Sequence, residues 1–104
     1  MHDWTPAELK TRLDGGERVF LKLWKNGCGA CKLSKPAIER LEVQEGHNMI
    51  FGQISTDDYP EMFEISETEV LPVFFVFDSS GMKGKLEGFK GLERLKSFVA
   101  DCLA

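Results

Sequence analysis

Val19-Phe20-Leu21-Lys22-Leu23-Trp24, followed by Lys25-Asn26-Gly27 and then Cys28-Gly29-Ala30-Cys31-Lys32, is the stretch that decides the fold. Its first six residues are apolar and β-favouring apart from Lys22, as a buried strand is. Beyond Cys31 the apolar positions switch to helical spacing. Cys28 then falls at a helix N-terminus, where unpaired N–H groups and the macrodipole favour a thiolate over a thiol. The spacing lets the second sulfur reach back and close a small disulfide. A thiolate with a resolving thiol is the minimum equipment for thiol–disulfide exchange. The rival readings are a structural disulfide and half of a zinc site. Zinc wants four ligands, and the chain adds only Cys102, His2 and His47, none paired at ligand spacing. No metal is expected.

Working outward, Thr5-Pro6-Ala7-Glu8 reads as a helix start, with Thr5 as cap, Pro6 at the first helical position and Glu8 closing a capping box. Trp4 and Leu9 have the spacing of a hydrophobic staple. That helix ends at Gly15-Gly16. A long helix from about Ala30 to Glu45 turns Leu33, Ala37, Ile38 and Leu41 toward the core, with Pro36 removing a backbone donor and kinking it. Met49 to Ile54 is a second strand, and Asp57, Asp58 and Pro60 open a short helix through about Ile65. Val73-Phe74-Phe75-Val76-Phe77 is a central strand covered on both faces. A turn at Ser79-Ser80-Gly81, an edge strand from Lys83 to Phe89 and a helix opened by Gly91 complete the chain. On that helix Leu92, Leu95, Phe98, Val99 and Cys102 make one apolar stripe, which predicts a buried, inert thiol at Cys102. The order αβαβαββα predicts an α/β sandwich with a mixed sheet.

At 104 residues the chain has the length of a single domain spanning 1–104, and 42% hydrophobic content supports a core without a disulfide framework. A net charge of −4 lacks the basic face of a nucleic-acid binder. No apolar run approaches a membrane span, and Met1 to Pro6 has neither the basic nor the apolar region of a leader. Three cysteines, an odd count, fit a reducing compartment, so a cytoplasmic protein is expected.

Strand, Cys-x-x-Cys, a helix carrying Pro36 five residues past Cys31, and Leu71-Pro72 leading into an apolar strand together resemble the thioredoxin family over nearly the whole chain. Lys32 directly after the motif and Gly88 in the C-terminal run match the family as well. The resemblance implies a three-layer sandwich whose mixed sheet has about four strands, the N-terminal strand being absent because the chain starts at once with a helix. It implies a protein-disulfide reductase with Cys28 as nucleophile and Cys31 as resolving thiol, needing no cofactor beyond the redox-active pair. Disulfide-containing proteins and a flavin-dependent, thioredoxin-reductase-like electron donor are the implied partners, with the chain acting as a monomer. A glutaredoxin-like glutathione-dependent reductase and a non-enzymatic interaction module are the alternatives. A disulfide-forming oxidant would need a leader and a higher potential.

Three departures at the centre modify that expectation. Gly27 stands where the family has a tryptophan, which removes an apolar wall beside Cys28. Ala30 stands in place of a proline and restores an N–H, which would aim at Cys28 and raise the potential above the roughly −270 mV of thioredoxin. Lys22 stands where the family often buries an aspartate. It shares a strand face with Phe20 and Trp24, beneath the cysteines. There it would relay a proton only if burial depresses its pKa, act as a cation that lowers the cysteine pKa values, or snorkel to water or to a glutamate. Lys22, Gly29, Ala30, Lys32 and Pro36 are therefore read as tuning the pair, with Lys25 adding minor positive potential. Trp24, Gly27, Leu71, Pro72 and Gly88 form the substrate-binding set. By resemblance the Leu71–Pro72 peptide is cis, and Leu71 pairs with an extended substrate segment. The acidic run Asp57, Asp58, Glu61, Glu64, Glu67 and Glu69 reads as a solvated surface.

Overall fold

The computed structural model describes residues 1–104. Its elements are β1 (His2–Asp3), α1 (Pro6–Asp14), β2 (Val19–Trp24), α2 (Gly29–Glu45), β3 (Ile50–Ser55), α3 (Met62–Ser66), β4 (Val73–Asp78), β5 (Gly81–Glu87) and α4 (Leu92–Leu103). The sheet order is β1-β3-β2-β4-β5. β1, β3 and β2 run parallel, while β4 opposes β2 and β5 opposes β4. This is the mixed sheet of the expected sandwich, with one correction. The N-terminal strand is present, making five strands where about four were expected. His2 and Asp3 pair with Gly52 and Gln53, and the Trp4 N–H donates to the Gln53 carbonyl at 2.8 Å.

The helix starts behave as their residues dictate. Thr5 is extended and its Oγ1 accepts the Glu8 N–H at 3.1 Å, capping α1. Trp4 and Leu9 are buried in one cluster, as a staple requires. In α2 the apolar phase differs from expectation: Leu33 is 72% exposed, and Cys31, Ser34, Ala37, Ile38 and Leu41 face inward. Cys31 sets that phase, since 34, 38 and 41 follow it at helical spacing. The buried Ser34 hydroxyl is satisfied by the Cys31 carbonyl at 2.7 Å. Pro36 sits inside α2, which runs on through it to Glu45.

Alternation along the central strands divides the core in two. Phe20, Phe51, Phe74 and Val76 pack with Ile38 and Leu41 of α2 and with Leu95, Phe98 and Val99 of α4. On the other face Val19, Leu21, Leu23, Ile54, Val73 and Phe75 pack with Leu9 of α1 and Met62 of α3. Cys102 is buried in the first layer, as its stripe predicts, and burial pushes its thiol pKa up. Lys22 belongs to that same layer. No helix is long and apolar enough to cross a membrane.

Candidate active site

β2 ends at Trp24, and the loop that follows turns sharply at Gly27, whose φ is +76°. A residue with a Cβ is strained there, which gives a backbone reason for glycine before Cys28. The loop is tied down by the Asn26 N–H, which donates to an Asp57 carboxylate oxygen at 2.9 Å. Cys28 is the N-cap of α2, and its sulfur accepts the Cys31 N–H at 3.1 Å. The two cysteines are joined in a disulfide, their Cα atoms 5.2 Å apart. Cys31 is 3% exposed and Cys28 half-buried, so the outer sulfur is the accessible one. The donor to that sulfur belongs to Cys31; the bond expected from the Ala30 N–H is not formed.

Lys22 neither snorkels nor pairs with a glutamate. It is 5% exposed, between Gln53 of β3 and Phe74 of β4 in the sheet, and its ammonium donates to the Cys31 carbonyl at 3.0 Å. Burial, reinforced by the nearby Lys35 charge, pushes its pKa down to about 8. Lys22, Trp24 and Cys31 line a cavity of about 190 Å³ together with Lys25, Asn26, Lys32, Lys35 and Gln53. The Trp24 Nε1 is buried and has no hydrogen-bond partner.

The second wall of the site comes from β4. Val73 is paired with Leu23, so the preceding Leu71–Pro72 step lies at the sheet end from which the cysteine loop leaves. Its peptide bond is cis. The Gly88 N–H donates to the Pro72 carbonyl at 2.7 Å, bringing Gly88 beside this step. Leu71's own N–H and carbonyl have no partner within the chain. No group of three or more His, Cys, Asp or Glu side chains stands close enough to hold a metal ion.

The sequence model of the thioredoxin family matches residues 2–101. The chain belongs to the thioredoxin family. It is 22% identical over 99 residues to the thioredoxin of Alicyclobacillus acidocaldarius, covering 95% of this chain and 94% of that one. It is also 22% identical over 89 residues to the bifunctional thioredoxin reductase/thioredoxin of Mycobacterium leprae, covering 86% of this chain and 19% of that much longer protein. In fold it superposes on oxidised mitochondrial thioredoxin 3 of Saccharomyces cerevisiae with a TM-score of 0.84 at 18% identity, covering 96% and 94% of the two chains. The family and the disulfide-forming pair make this thioredoxin-family protein a thiol–disulfide oxidoreductase.

Within the thioredoxin frame the structure separates the expected residues into two groups. Lys22, Trp24, Lys32 and Cys31 meet around the cavity. Leu71, Pro72 and Gly88 meet at the cis step. Gly27, Gly29 and Ala30 belong to the loop and first turn that present Cys28, whereas Pro36 is exposed farther along α2. Two participants escaped the sequence reading. Lys35 is four residues past Cys31, so helical spacing alone would have put it on the cysteine's face. Gln53 reaches Lys22 only through the β2–β3 register.

Proposed function

We propose that this thioredoxin-family protein reduces disulfides of partner proteins, with Cys28 as nucleophile and Cys31 as resolving thiol. The carrying observation is the burial asymmetry of the pair at the start of α2: Cys28 half-exposed as N-cap, Cys31 closed off. In the reduced protein the Cys28 thiolate attacks one sulfur of the partner's disulfide. That S–S bond breaks, one partner sulfur leaves as thiolate, and a mixed disulfide with Cys28 forms. Cys31 then loses its proton and attacks the Cys28 sulfur. The mixed disulfide breaks, the partner leaves with both thiols, and the Cys28–Cys31 disulfide is restored.

The free N–H and carbonyl of Leu71 support a partner segment bound in extended form along the cis step, by strand addition. Electrons return from a dithiol donor; the Mycobacterium leprae relative, named for both activities, supports a flavin-dependent reductase in that role. The cysteine pair itself carries the electrons, with no further cofactor. Cys102, a free buried thiol, supports a reducing compartment such as the cytoplasm.

The test is insulin-disulfide reduction with dithiothreitol as donor. Wild type should precipitate insulin well ahead of the uncatalysed background, and Cys28→Ser should fall back to it. A wild type no faster than background would leave the chain as an interaction module.

A further inference from the structure

The lysines of this chain fall into two sets. Lys10, Lys83, Lys85 and Lys96 each stand within 4 Å of a carboxylate. Lys22, Lys25, Lys32, Lys35 and Lys90 have no such partner, and all of these but Lys90 line the 190 Å³ cavity beside Cys31. No carboxylate lines that cavity, although acidic residues outnumber basic ones by 17 to 13 in the chain.

The carboxylates that approach from the adjoining cavity are engaged or turned to water. Asp3 accepts from Gln53 at 2.7 Å, Glu42 pairs with the Met1 ammonium at 3.0 Å, and Glu39 is exposed. Lys22 uses one donor on the Cys31 carbonyl and has no other partner. A buried ammonium without a counter-charge is costly, and so is a buried indole N–H without an acceptor. The first occurs on the wall of this cavity, at Lys22; the Trp24 Nε1 is closed off from it. An anion held among the four lysines would give the Lys22 ammonium its counter-charge.

We propose that this cavity is an anion subsite that holds a carboxylate carried by the disulfide substrate, so that disulfides flanked by Asp or Glu are preferred. The inference rests on the reading that the substrates are proteins, whose common anions are carboxylates. The volume agrees. At about 190 Å³ the cavity is smaller than the roughly 300–1,000 Å³ pockets that enclose a whole small molecule, and it suits one acidic side chain. The opposing charges are Asp57, whose carboxylate holds the Asn26 N–H at the cavity edge, and the acids around α3. They are exposed and screened by salt, whereas Lys22 is buried. Together the two flanks set substrate direction, with the acidic residue lying over α2 rather than α3.

The experiment compares two disulfide-linked peptides that differ only in Asp and Glu against Asn and Gln beside the cysteines. Reduction by the full chain is followed as kcat/KM at low ionic strength. The acidic peptide should be reduced about tenfold faster, the size of one favourable charge interaction in a partly desolvated site. The ratio should fall toward one in Lys35→Met and persist in Lys10→Met, which removes the same charge from α1. Inorganic phosphate should slow the acidic peptide alone when compared with chloride at equal ionic strength. A wild-type ratio of one or less, or a ratio unchanged in Lys35→Met, overturns the subsite. Insulin reduction run in parallel keeps the two readings apart: insulin reduced with a ratio of one removes the subsite only, while insulin left intact removes the reductase itself.

Discussion

Lys22 is a side chain whose burial costs stability. Its ammonium is buried against the Cys31 carbonyl, and its pKa falls to about 8 from the ordinary 10.5. Below pH 8 both folded and unfolded chains hold the proton, and the folded state bears the full cost of burial and of the nearby Lys35 charge, about 1–3 kcal/mol once solvent screening is counted. Between pH 8 and 10.5 the unfolded chain still binds the proton while the folded one has released it, so stability rises with pH across that window. Lys22→Met removes the charge and keeps the apolar stem. The oxidised variant should therefore be more stable than wild type at pH 7 by about 1–3 kcal/mol, the lost hydrogen bond offsetting part of the gain. The gap should narrow by pH 10. Urea unfolding at both values measures it, and a variant less stable at pH 7 would show that Lys22 is held by favourable contacts instead. Strand alternation made the position of Lys22 legible beforehand. The fate of its head group was not, because Lys35 and Gln53 arrive from α2 and β3, and one strand's pattern carries no information about what lies across it.

At the scale of elements, β2, α2 and β4 were legible because each has enough residues to display a period. Two errors mark where that signal ends. β1 has two residues, too few for alternation to be seen, and it exists because of a residue elsewhere: Gly52. A Cβ at Gly52 would overlap the six-membered ring of Trp4, which packs directly on that backbone. Gly52→Ala should thus displace Trp4 and loosen β1 from β3 at a cost of about 1–3 kcal/mol, the range for overpacking a closed core. Denaturant midpoints would reveal it, and a neutral substitution would mean that the N-terminal segment carries no stability. The second error is Leu33, assigned to the core from its apolarity and found 72% exposed. Residues out of phase with Cys31 face water whatever their chemistry. Leu33→Ala should change stability by no more than about 0.5 kcal/mol, as surface substitutions do, whereas Ile38→Ala in the same helix should lose about 2–5 kcal/mol.

For the whole molecule, folding stability and redox potential are two sides of one cycle. The stability of the reduced chain minus that of the oxidised chain equals the difference in potential between folded and unfolded cysteine pairs, scaled by two electrons. Lys22 enters both sides with the same sign. In the oxidised protein its ammonium, held at the Cys31 carbonyl, has no counter-charge, whereas reduction places a thiolate at the start of α2 that the charge favours. Cys28 also receives the Cys31 N–H at the head of α2, which favours the thiolate further. The folded potential should accordingly lie above the roughly −270 mV of thioredoxin. Lys22→Met should lower it by about 30 mV, equivalent to about 1.4 kcal/mol for a two-electron couple. The unfolded potential is unaffected, so the same substitution must make the reduced chain less stable relative to the oxidised one by that same amount. Equilibration against glutathione gives the first quantity and paired urea curves of the two redox forms give the second. A potential unmoved by Lys22→Met would confine Lys22 to the electrostatics of the cavity. A drop of about 30 mV, matched by the paired urea curves as the cycle requires, would make Lys22 a residue through which the fold sets the poise of the cysteine pair.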